Sequence, residues 1–246
     1  MIPFLLAAAV ATAAPTRPSP ASPLITGTTA ERTCPDLVTP DALVCRALAA
    51  EKSGDNAGAA QSFEEAAKTA GDKDPKSARM FAAAGNLWIA ADQPAKAAAD
   101  LDKALALSGL EGKQRGQAFL DRARAAEEQD DLAIARARLN DAKETISDDP
   151  FYWYFSAALA LREHDGMTAQ TAIAKAMSLA PNDPAILFEA GHVADFNGDD
   201  DQARSYWSRA AASDPNGPVG KAAAKAVEML GVTPVVRNQA PAQPRS

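Results

Sequence analysis

The chain has 246 residues, 47% hydrophobic, 23% charged and only 6% aromatic, with a formal net charge of −7. An acidic chain without a basic stripe lacks the electrostatic footprint of a nucleic-acid binder, and the same charge disfavours anionic membrane surfaces.

The first stretch, MIPFLLAAAVATA, is apolar, short and closed by small residues. It reads as a secretory signal peptide over residues 1–13, with cleavage after Ala13 or Ala14, and it is too short to span a membrane. No Lys or Arg precedes the apolar core, so only the amino terminus supplies the positive charge. Residues 14–33 are rich in Pro, Ser, Thr and Ala and are expected to form a flexible linker. The expected location is therefore periplasmic or secreted, and the alternative is cytoplasmic.

Cys34 and Cys45 are the only cysteines, an even count that fits one disulfide in an exported protein. Thr39-Pro40 reads as an N-cap and first helical position, which puts Cys45 in the second turn of the first helix. A chain folding back from Cys34 would staple the start of the fold. In a cytoplasmic protein the two would be unrelated thiols.

From Pro40 the punctuation is regular. Asp74-Pro75, Asp149-Pro150 and Asp183-Pro184 each place a capping carboxylate before a proline that the first helical turn tolerates. Gly54-Asp55, His164-Asp165-Gly166 and Gly198-Asp199 mark turns. Between them apolar residues recur at helical spacing, as in Ala97, Leu101, Ala104 and Leu105, with no alternating β-branched run. The expected fold is all-α.

One stretch shows the unit most clearly. From Pro184, the residues Gly191, Gly198, Ala203, Trp207, Ala210 and Pro215 fall at positions 8, 15, 20, 24, 27 and 32. Small residues stand where two helices would cross, and a glycine breaks the chain between them. The same places are filled in steps of thirty-four by Ala157, Ala169, Ala176 and Pro181, and before them by Ala123, Ala135, Leu139 and Ala142. Gly85, Ala97, Leu101 and Ala104, then Ala47, Gly54, Ala59, Phe63 and Ala66, continue the series after small shifts. The units are 40–73, 78–111, 116–149, 150–183 and 184–217, with Asp74–Ser77 and Gly112–Arg115 left between units. Residues 218–230 read as an amphipathic helix that caps the last unit, and 232–246 as a loose tail.

This spacing resembles the tetratricopeptide repeat (TPR) superfamily. The resemblance implies a right-handed superhelical solenoid of helix hairpins over residues 34–231, with each hairpin burying its apolar face on its neighbours. It also implies that positions 2, 5, 9, 12 and 13 of each unit face a concave groove. On that basis Arg79, Asn86, Leu120, Arg124, Tyr154, Arg162, Phe188, His192 and Phe196 are the candidate peptide-binding residues, the arginines being suited to carboxylates. Some TPR domains grip a C-terminal carboxylate through Lys and Asn at positions 5 and 9. Here Val44 and Leu48 stand there in the first unit, so that subfunction is not expected.

The chain carries no nucleophile motif and no glycine-rich phosphate loop. Asp195, Asn197, Asp199 and Asp201 alternate like a calcium loop, but Asp200 and Tyr206 replace its glycine and glutamate, and no metal site is expected. The expected function is a non-catalytic scaffold, without cofactor, that holds an extended peptide or partner helix in its groove, in a bacterial envelope. The alternative is an assembly subunit of an envelope complex that uses its convex face or end caps. Self-association is compatible with either.

Overall fold

The computed structural model describes residues 34–230. The expected signal peptide, the whole of the expected linker and the expected tail lie outside these residues. The described helices all belong to one compact unit, which begins at Pro35. They are α1 (Pro40–Lys52), α2 (Asn56–Ala70), α3 (Pro75–Ala90), α4 (Pro94–Ala106), α5 (Gly112–Glu127), α6 (Leu132–Ile146), α7 (Pro150–Arg162), α8 (Gly166–Leu179), α9 (Pro184–Phe196), α10 (Asp200–Ser213) and α11 (Pro218–Leu230). Among the described residues there is no strand, and the fold is all-α.

Local chemistry sets these boundaries. Thr39, Asp74, Asp149 and Asp183 each accept a hydrogen bond from a first-turn backbone N–H, and a proline follows each. Asp55, Asp131, Asp165 and Asp199 do the same for α2, α6, α8 and α10, accepting from the N–H three residues on. The residue before each of these caps takes the left-handed conformation, as glycine at Gly54 and Gly198 and as Asp130 and His164 elsewhere. Asp92 adopts it too, so every hairpin turns through the same backbone shape.

The two stretches left between units are helical rather than connecting. Pro75–Ser77 and Gly112–Arg115 form the first turns of α3 and α5, which have 16 residues where α1, α7 and α9 have 13. The second and third units are longer because their first helix has about one extra turn.

Packing is between neighbours. Each helix packs against the next in order, and four core clusters follow one another along the array, each ending where the next begins. The alanines at positions 20 and 27 of every unit are fully buried, from Ala59 and Ala66 to Ala203 and Ala210. A glycine at position 8 meets a large residue at position 24, Gly85 with Leu101 and Gly191 with Trp207, and Ala123 and Leu139 hold the same two places within one core cluster. At the far end α11 closes the array through Ala223, with Ala226, Val227 and Leu230 packed beside it.

The amino-terminal end is tied as well. The Arg46 guanidinium donates to the carbonyls of Pro35 (3.1 Å) and Leu37 (2.9 Å), holding the incoming chain on α1. Cys34 and Cys45 are both disulfide-bonded. No described helix is long and apolar enough to cross a membrane.

Candidate functional site

The odd-numbered helices also touch one another: α3 packs on α5, α7 on α9 and α9 on α11. No two even-numbered helices pack to that extent among the described residues. The array is therefore tighter on the odd-helix side, which forms its inner wall. Tie points between successive units lie along this wall. Asn86 donates to Asp121 at 3.0 Å, and Arg162 donates to the Glu127 carbonyl at 2.7 Å, both across 35 residues.

These ties use up several candidate binding residues. Arg124 is 5% exposed, pairs with Asp121 at 3.1 Å and lies 5.6 Å from the centre of the Phe151 ring. Arg162, although exposed, is held by the Glu127 carboxylate and by Asp130 at 2.6 Å. Leu120 is 1% exposed, because it lies on the face of α5 that joins residues of α6 and α7 in one core cluster. It presents nothing to a ligand. Arg79 is exposed and donates to the Gly109 carbonyl at 3.3 Å. It lines a cleft of about 410 Å³ between α1 and α3, with Val44, Phe63 and Met80.

The remaining candidates belong to two aromatic groups, one on α7 and one on α9, helices that pack on each other. Phe151 and Tyr154 stack with ring centres 5.5 Å apart. Phe188 meets His192 edge-on at 4.5 Å, and His192 meets Trp207 at 5.4 Å. The Trp207 indole donates to the Phe188 carbonyl at 3.0 Å, fixing that end of the row. All four of Phe151, Tyr154, Phe188 and His192 are half-buried. Phe196, at the end of α9, is 45% exposed and lies 6.3 Å from the His164 ring.

Electrostatics follow from this burial. Desolvation raises the Tyr154 hydroxyl above its ordinary range, and Glu189, Asp183 and Glu127 push it the same way, against Arg124. Burial lowers His192 and so favours its neutral ring, with Asp195 opposing. Its Nε2 is buried and has no hydrogen-bond partner among the described residues. Burial also lifts Glu189 to about 7. The sequence reading passed over Glu189, yet the signal was present: it is the lone acid within the apolar run AILFEAGHV.

The acidic alternation after α9 is accounted for by the turn. Asp199 accepts from the Gln202 N–H at 3.0 Å, and Asn197 donates to the Gly166 carbonyl at 3.3 Å. No cluster of three or more metal-ligating side chains occurs among the described residues.

Solved structures of the same shape decide the architecture. PilW, a type IV pilus biogenesis factor, superposes with a TM-score of 0.62 at 21% identity, over 74% of this chain and 81% of its own. PilF of Pseudomonas aeruginosa gives 0.61 at 16% identity, over 78% and 83%. YrrB, a TPR protein with an unusual peptide-binding site, gives 0.54 at 17% identity, over 75% and 91%. The fold is that of the tetratricopeptide repeat. No family model matches the sequence, and no curated protein does.

Proposed function

We propose that this TPR array is a non-catalytic protein-interaction scaffold that holds an extended peptide or partner helix on its inner wall. The observation that supports this most is the half-buried aromatic row of Phe151, Tyr154, Phe188 and His192. Aromatic side chains held rigidly by stacking offer contact area at little entropic cost, and such residues dominate interface energies. YrrB, a TPR protein of similar fold, has an unusual peptide-binding site, which supports peptide binding by an array of this kind. We place the scaffold in a bacterial envelope, on the strength of the apolar leader with small residues at its end and of two disulfide-bonded cysteines.

A second reading has its own support. On the other side of the array α6, α7 and α8 enclose a cleft of about 400 Å³ lined by Arg136, Lys143, Trp153 and Met167, the last 81% exposed. An assembly subunit would dock there. Photocrosslinking in the native host separates the two. A photoreactive phenylalanine at Tyr154 should trap a partner, while one at Met167 should not. The reverse pattern would move the function to the outer cleft.

A further inference from the structure

The inner wall carries an acid without a counter-ion. Glu189 sits midway along α9, half-buried, and no cation stands within ion-pair distance of it among the described residues. Arg124, the cation that acts on the Tyr154 hydroxyl, is matched by Asp121, and Arg162 at the end of α7 is matched by Glu127 and Asp130. Around the Tyr154 hydroxyl, Glu189, Asp183 and Glu127 therefore face one neutralised arginine.

We propose, building on the groove reading above, that this surface receives a lysine or arginine side chain from an extended segment of a partner protein. The cation meets the Glu189 carboxylate, its methylene stem lies along the Tyr154 ring, and neighbouring apolar residues of the segment rest on Phe151 and Phe188. Three observations converge on a basic occupant. A desolvated carboxylate without a partner is costly, and a bound cation removes that cost. Burial lifts Glu189 to about 7, the behaviour of a carboxyl short of positive charge. Aromatic faces beside it attract ammonium and guanidinium groups. An acidic segment would instead meet Glu189 and Asp195 and find its prospective arginines occupied. The net charge of −7 steers basic partners toward the array in the same sense.

The test pans a phage-displayed library of random peptides on the full-length protein and on its Tyr154→Ala, Glu189→Gln and Glu189→Met variants. Circular dichroism and thermal melts check that each is folded. The expected result is enrichment of Lys or Arg at one register of the captured peptides, absent with Glu189→Gln. A selected peptide should bind Glu189→Gln about ten-fold more weakly or worse, while its Lys-to-Gln version should bind both proteins alike. Capture that needs Tyr154 but shows no basic preference, or one that survives both Glu189 variants, overturns this inference and leaves the groove reading standing. Failure to capture any peptide overturns both.

Discussion

The indole of Trp207 lies across the backbone of Gly191, so that a Cβ at Gly191 would stand 2.7 Å from the indole Cε2. Its Nε1 meanwhile donates to the Phe188 carbonyl at 3.0 Å. One pair of residues thus joins α9 to α10 and anchors the aromatic row. Gly191→Ala should force the indole out and cost about 1–3 kcal/mol, more than the helix propensity that alanine adds. In the third unit the same two positions are held by Ala123 and Leu139, both fully buried in one core cluster. The double variant Gly191→Ala, Trp207→Leu should therefore recover part of the loss. Urea melts of the single and double variants measure this, and purely additive losses would contradict the size-matching account.

The shared turn conformation makes a prediction of opposite sign. His164 holds φ of 59° and Gly198 holds φ of 82° at the same place in successive units. A side chain in the left-handed region costs about 1–2 kcal/mol, partly returned by the lower entropy of a non-glycine in the unfolded chain. His164→Gly should raise the melting midpoint, and Gly198→Ala should lower it, at a cost of about 1 kcal/mol in stability. A fall in both would show that the His164–Phe196 contact outweighs the backbone term.

Asp100 supplies a pH dependence. It is 6% exposed, accepts from the Trp88 indole at 3.1 Å, and is raised to about 6 by burial and by Glu64, with Lys68 and Lys103 opposing. Unfolded, such a group titrates near 3.9, so between these values the folded state binds more protons than the unfolded one. Its contribution to stability is therefore greatest below about pH 4, falls as pH rises to about 6, and is constant beyond. Asp100→Asn keeps an acceptor for the indole and removes the charge. It should stabilise the protein at pH 7 by up to about 3 kcal/mol and flatten that part of the stability–pH curve. An unstable Asn variant at pH 7 would mean that ionised Asp100 is stabilised by its lysines.

The hairpin array was legible because its grammar is local: capping aspartates, prolines after them, and small residues at fixed spacing. Ala203 and Ala210 needed no structure to be placed in a core. The inner wall was less so. Arg124 and Arg162 look like ligand residues in the sequence, and only the fold shows Asp121 and Glu127 opposite them. Leu120 was misplaced for a similar reason: which face of α5 is covered depends on how α6 and α7 lie on it. Glu189 stands out in the sequence only as a lone acid in an apolar run, and the fold adds what the run does not show, that no described cation lies within ion-pair distance of it.

Export and the cysteine pair are tested together by the intact mass of the protein from its native host, measured without reduction. The leader ends in Ala11-Thr12-Ala13-Ala14, so a processed chain should lack its first thirteen or fourteen residues. A bond between Cys34 and Cys45 should lower the mass by two hydrogens, which reduction restores. With the bond formed, the loop ahead of α1 is closed covalently as well as by Arg46. In the chain-entropy model a loop this short gives at most about 3 kcal/mol, so a reduced sample should melt earlier without losing the fold. Free thiols on an unprocessed chain would remove the case for an envelope location and move the search for a basic partner to the cytoplasm.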